Sequence, residues 1–129
     1  AIRCRVASYT ETGRRIGMSL DVYLTATRKT EVYWANITHN LGKMAEAVKC
    51  GEHSLYKYLW RPEEIGIKQA GELIKPLREG LAELKAKPEV YEKYNAENGW
   101  GMYEHFVLFV EKYLTACEEN PDAEIGISR

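Results

Sequence analysis

The chain has 129 residues, of which 45% are apolar and 29% charged, and its formal net charge at pH 7 is −1. This length fits one domain with a single hydrophobic core, and the composition is typical of globular proteins rather than of disordered or fibrous ones. The nearly balanced charge provides no long-range attraction to nucleic acid or to an anionic membrane, so we expect neither as a partner.

The cysteines and the hydropathy indicate a cytoplasmic protein. The three cysteines are odd in number and widely spaced, which favours reduced thiols over a disulfide framework. No apolar run approaches the roughly 20 residues that a membrane-spanning helix needs, and the first residues show no signal-peptide pattern.

Residues 1–17 differ in charge from the remainder of the chain. They contain four arginines and one glutamate, a net charge of +3, which leaves −4 for residues 18–129. Apolar and charged residues alternate over 2–9, a pattern compatible with a strand at the edge of a sheet. The sequence thus predicts a basic N-terminal extension, 1–17, followed by a single domain, 18–129.

The domain begins with a predicted β-hairpin. Residues 18–24 alternate between apolar and other side chains, which is the period of a half-buried strand. Residues 31–35 are rich in strand formers, and the polar stretch 25–30 between the two predicts a turn. Residues 123–128 alternate again and predict a C-terminal strand that joins the hairpin.

Helical patterns follow the hairpin. Thr38 is a capping residue for a helix that we expect to end near Gly51, with one apolar face formed by Leu41, Met44, Ala45 and Val48. Pro62, with two glutamates behind it, is a signal for the start of another helix.

The longest apolar pattern of helical spacing runs over 68–85. Pro76 interrupts it and predicts either a kink or the meeting of two helices. Pro88 opens a further short helix, and residues 100–118 predict a strong one with a wide apolar stripe. The order of the elements predicts an α+β fold, with a small, mostly antiparallel sheet covered by helices on one face.

Residues 36–40 place two amides, a hydroxyl and an imidazole where a strand gives way to a helix. Free backbone N–H groups at a helix start bind anions, and His39 is suited to act beside Asn36 and Asn40 as a donor or as an acid or base. The alternative is structural: Asn36 and Thr38 satisfy the turn and the helix cap, and His39 packs beside them.

Trp60 and Arg61 form a second cluster. A guanidinium beside an aromatic ring binds a phosphate, a carboxylate or a flat ring. The alternative is a loop anchored by a buried Trp60, with Arg61 paired to an acid.

The third cluster is 98–105, where two glycines flank Trp100 just before a helix. Glycine permits close backbone approach, so this stretch is suited to the lip of a pocket, with Trp100 or Tyr103 as a stacking platform beside Glu104. The alternative is a tight connection with Trp100 inserted in the core.

Metal and cofactor chemistry find little support in the sequence. Asp21, His39, Glu104 and His105 are suitable ligand types, but they match no ligand spacing, and adjacent residues on a helix point about 100° apart. The phosphate, dinucleotide, nucleophile-elbow and zinc-protease motifs are also absent from the sequence. We therefore expect no metal and no cofactor, and we assign no catalytic residue.

From Met18 onward the chain resembles a group of small, uncharacterised proteins encoded by phages and prophages. The resemblance rests on four stretches, with the C-terminal ISR as a weaker match: MSLDVYL at 18–24, ANITHNLGKMAE at 35–46, LWRPEEIGI at 59–67 and NGWGMYEHF at 98–106. The group has no established activity, so the resemblance implies a kind of genome and no reaction. Residues 1–17 lie outside it.

Three functions stay open at this point. The first is a non-catalytic accessory protein that binds a protein or a small ligand through a pocket formed by the three clusters. The second is a small enzyme acting on a nucleotide or phosphorylated metabolite, with His39 as acid or base and Arg61 as anion clamp, which requires a concave site. The third is a structural protein or homo-oligomer, which is favoured if Tyr56, Tyr58 and Trp60 form an exposed patch.

Overall fold

The computed structural model describes residues 19–25 and 31–129. Its strands, in chain order, are β1 (Ser19–Thr25), β2 (Glu31–Thr38), β3 (Lys49–Cys50), β4 (His53–Ser54) and β5 (Glu124–Ser128). Its α-helices are α1 (Gly42–Ala47), α2 (Leu55–Trp60), α3 (Ile74–Ala86), α4 (Pro88–Tyr91) and α5 (Tyr103–Glu119). Short 3-10 turns occur at His39–Leu41, Pro62–Ile65, Ala70–Leu73 and Glu92–Tyr94.

The main sheet is antiparallel, with the strand order β2-β1-β5. Val22 at its centre lies opposite Ala35 of β2 and Ile127 of β5. The alternation read from 18–24 is confirmed, because Leu20, Val22 and Leu24 are completely buried while their neighbours are partly exposed. The antiparallel pairing of the predicted hairpin, the C-terminal strand and the α+β class are therefore confirmed. The strand expected at 2–9 and residues 26–30 of the predicted turn lie outside the described residues.

The helix expected to run from Thr38 to Gly51 is shorter than predicted. Thr38 does cap its start, since its hydroxyl oxygen accepts the backbone N–H of Asn40 at 3.3 Å, but the first turn is 3-10. The helix then ends at Ala47, because Val48 is extended and Lys49 begins the small β3–β4 hairpin. Gly51 provides the positive φ of 75° that this hairpin turn needs.

Pro76 does not kink a helix. It lies in the first turn of α3, where a backbone N–H has no acceptor within the helix, and a 3-10 turn, Ala70–Leu73, leads into it. Pro62 likewise opens a 3-10 turn, and Pro88 opens α4 as predicted.

Helix α5 packs in the core between the sheet and another helix. It packs against α3 and against β2, where the rings of Tyr33 and Tyr113 stack at 6.1 Å between centroids. Within the described residues, no helix combines the length and apolar character needed to cross a bilayer.

Candidate functional site

The first two clusters meet in a hydrogen bond between His39 and Trp60. The indole Nε1–H of Trp60 donates to Nδ1 of His39 at 2.7 Å, and this joins the end of β2 to the end of α2. Trp60 is only 2% exposed, so its N–H requires an acceptor, which His39 supplies. The structural alternative for Trp60, an aromatic anchor of the loop, is therefore what the structure shows.

This hydrogen bond fixes the state of the imidazole. Because Nδ1 accepts, the neutral ring carries its proton on Nε2. Burial lowers the pKa of His39 from 6.5, and the nearby Asp21 carboxylate opposes that shift. His39 is therefore neutral at physiological pH, and it presents an N–H donor to any ligand while its lone pair is held by Trp60.

Arg61 forms an ion pair with a carboxylate, as expected from the structural alternative for this residue. Its guanidinium lies 3.0 Å from Glu64, and Glu64 also pairs with Lys57 at 2.8 Å. A ligand anion at Arg61 would have to compete with this carboxylate.

The aromatic patch considered for oligomerisation is not exposed. Tyr58 and Trp60 are buried, and Tyr56 stacks on Trp60 with 5.2 Å between the ring centroids. The feature that favoured a homo-oligomer is therefore absent from α2.

Asn36 is hydrogen-bonded to strand β1 and not to His39 or Trp60. Its amide donates to Ser19 Oγ and to Asp21 Oδ1, both at 3.2 Å, across the β1–β2 pair. Asn36 thus links two strands on the outer face of the sheet and does not cap the turn that follows.

The third cluster meets the first through Asn40, whose side-chain amide donates to the backbone oxygen of Trp100 at 2.8 Å. The Trp100 N–H donates to Asn98 Oδ1 at 3.0 Å, and the Ala96 N–H donates to the Gly101 carbonyl at 3.1 Å. The backbone on both sides of Trp100 is thus held in place, although the Trp100 side chain is 67% exposed. Insertion of Trp100 into the core, one of the two alternatives, is wrong.

Gly101 makes this geometry possible. Its φ is +117°, and a Cβ at this position would lie 3.0 Å from Cβ of Asn40. The expectation of close backbone approach at this glycine is therefore confirmed.

Tyr103 and Glu104 begin α5 and differ in environment. The Tyr103 N–H donates to Asn95 Oδ1 and its hydroxyl to the Leu84 carbonyl, both at 2.6 Å, so this half-buried ring connects α5 to α3. Glu104 is exposed, and it forms no ion pair with another described residue.

Two depressions on the described surface are lined by no residue of the three clusters. One, of about 370 Å³, lies between the 3-10 turn Pro62–Ile65 and β5, and the Glu63–Arg129 ion pair lines it. The other, of about 320 Å³, lies near Lys68 and Glu124. The three clusters are joined by the hydrogen bonds His39–Trp60 and Asn40–Trp100.

Metal-ligating and nucleophilic groups are dispersed among the described residues. No three His, Cys, Asp or Glu side chains there come together as a metal site. Cys50 and Cys117 are buried free thiols, and burial raises the pKa of each to about 12, which keeps them protonated and unreactive.

Comparison with protein families, with curated proteins and with solved structures finds no match to this chain. The resemblance to phage and prophage proteins therefore stays a prediction from the four sequence stretches.

The residues that hold the Trp100 loop, and the exposed apolar residues near it in the chain, were not predicted from the sequence. Asn95 and Asn98 hold the loop by accepting backbone N–H groups. Asparagine is a common turn residue, and two of them just before a predicted helix could have indicated this role. Val90 and Tyr94, in and just after the short helix α4, are exposed. Leu108 is also exposed, and its position outside the apolar stripe of α5 was a signal for that.

Proposed function

We propose that the protein is a non-catalytic binding module that recognises a protein partner through the surface around Trp100. The observation that carries this proposal is the combination of a 67% exposed indole with a backbone held by Asn40, Asn98 and Gly101. Large aromatic side chains fixed on an ordered loop lose little conformational entropy on binding, and they are the usual anchors of protein interfaces.

The state of His39 favours binding over catalysis. A general base needs a free lone pair, whereas Nδ1 of His39 accepts from Trp60 and Nε2 carries the proton. Arg61, the candidate anion clamp, is paired with Glu64. Both groups thus support the structure of the junction next to the Trp100 surface.

We place this binding in the cytoplasm of a bacterium that carries a phage or another mobile element, where the protein serves as an accessory factor. The four stretches that resemble phage and prophage proteins support this setting. The two buried free thiols fit a reducing compartment.

Site-specific photo-crosslinking tests the proposal. A photoreactive phenylalanine analogue at position 100 should form a discrete adduct in bacterial lysate, and the same analogue at position 46, an exposed glutamate on α1, should not. Equal labelling at both positions would contradict the proposal.

A thermal-shift screen against nucleotides and phosphorylated metabolites tests the enzyme alternative. We expect no shift, because selective ligand binding to the native state would raise the melting temperature. A saturable shift that His39→Ala abolishes would favour the enzyme instead.

A further inference from the structure

The exposed large hydrophobic side chains of the described residues all lie in one stretch of the chain. Val90 and Tyr94 are 36% and 40% exposed near α4, Trp100 is 67% exposed in the loop, and Leu108 is 49% exposed on α5. Single exposed apolar side chains, scattered over the surface, are normal in a folded protein. Here the four lie within 19 residues of the chain, which marks this stretch as a candidate contact surface.

The same stretch is acidic. Residues 88–105 contain four glutamates and one lysine, a formal charge of −3, in a chain whose total is −1. The remaining residues therefore sum to +2. The four glutamates are exposed, and none of them is paired with a cation among the described residues, in contrast to Glu63, Glu64, Glu83, Glu111 and Glu118.

Hydrogen bonds connect the loop between α4 and α5 to itself and to the start of α5. The backbone bond from Ala96 to Gly101 closes the loop between α4 and α5, and the Asn95 side chain accepts the first N–H of α5. The pKa of Tyr103 is raised, mainly by burial and secondly by the negative charge of Glu92. The carboxylate of Glu92 is therefore close enough to interact electrostatically with the start of α5.

We propose that the surface formed by residues 89–108 binds a positively charged protein segment, in which apolar side chains alternate with Lys or Arg. This inference rests on the proposed function and adds the chemistry of the partner. Apolar anchors at Trp100 and its exposed neighbours supply affinity, and unpaired glutamates around them raise the association rate and select a cationic partner.

Selection from displayed random peptides tests the charge and the apolar character of the segment that this surface binds. The full chain serves as bait after the library is depleted on Trp100→Ala, whose fold is checked by circular dichroism. We expect the enriched peptides to combine Lys or Arg with apolar residues. Enrichment of neutral or acidic peptides would overturn the charge inference and leave the proposed function standing, whereas no enrichment dependent on Trp100 would overturn the proposed function.

Titration of an enriched synthetic peptide separates charge from apolar contact. Trp100→Ala should weaken binding about tenfold or more. The triple variant E89Q/E92Q/E97Q should weaken binding severalfold and flatten its dependence on salt between about 50 and 200 mM. The matched control E46Q/E52Q/E119Q removes the same charge from exposed positions elsewhere, and an equal effect of the control would overturn the proposed site.

Discussion

Trp60 and Trp100 are the same residue type in opposite environments. Trp60 is buried and its indole N–H is bonded to His39, so its side chain is committed to the fold. At Trp100 the backbone is bonded and the side chain is exposed. A hydrogen bond to the indole, together with burial, therefore identifies a structural tryptophan, whereas hydrogen bonds to the backbone alone leave the ring available for a partner.

The largest expected difference between the two sites is in stability. Trp60→Ala should lower the free energy of unfolding by about 3 to 5 kcal/mol, because it leaves a cavity and removes the hydrogen-bond donor to His39. Trp100→Ala should change it by less than about 0.5 kcal/mol, since the ring is mostly in solvent. Denaturant titration measures both, and similar losses would remove the distinction between the sites.

The next largest expected effect is the loss of stability when Gly101, which shapes the Trp100 loop, is replaced. Gly101→Ala should cost about 1 to 3 kcal/mol, because alanine is strained at φ +117° and its Cβ would approach Asn40. Gly99→Ala is the matched control, since its φ of +81° is also positive but open space surrounds its Cβ. If the two variants are equally stable, contact with Asn40 does not constrain the loop.

The His39–Trp60 site should respond to pH, and the Trp100 site should not. The pKa of His39 is lower in the folded chain than its ordinary 6.5, so the unfolded chain binds more protons in acid. The contribution of His39 is therefore fully present above about pH 6.5 and declines as the pH falls below that value.

The variant His39→Gln isolates this contribution. Glutamine keeps an acceptor for the Trp60 N–H but does not titrate. The free energy of unfolding, measured from about pH 8 to 5, should fall more steeply for the wild type than for His39→Gln, while Trp100→Ala should follow the wild type. Parallel curves for the wild type and His39→Gln would contradict the link between His39 and Trp60.

The smallest expected effect concerns a buried aromatic residue whose polar atom lacks a partner. The hydroxyl of Tyr113 is fully buried and has no hydrogen-bond partner among the described residues, unlike the N–H of Trp60. Tyr113→Phe should therefore be neutral or stabilising by up to about 1 kcal/mol. Tyr103→Phe is the control and should destabilise, because its hydroxyl donates to Leu84. Thermal denaturation of both variants decides whether partnered and unpartnered groups differ as expected.

Local patterns predicted most of the fold. The alternation at 18–24 and 123–128 identified two of the three strands of the main sheet, and apolar spacing identified α3 and α5. The predicted ends of the helices were less accurate. Helix α1 ends early because Lys49 pairs with Ser54 in the β3–β4 hairpin, and the spacing of apolar residues does not reveal that pairing. Helix α2 was missed, since its six residues are apolar or aromatic on most sides.

The polar and aromatic clusters at 36–40, 60–61 and 98–105 were recognisable from the amino-acid sequence, because they depend only on which residue types are neighbours in the chain. Which of those residues support the fold, and which stay exposed, depends on the packing of the folded chain. The acceptor for Trp60 lies 21 positions away, and the donor to the Trp100 backbone lies 60 positions away. Burial and hydrogen bonding over such separations depend on how the helices pack on the sheet, and local periodicity carries no information about that packing.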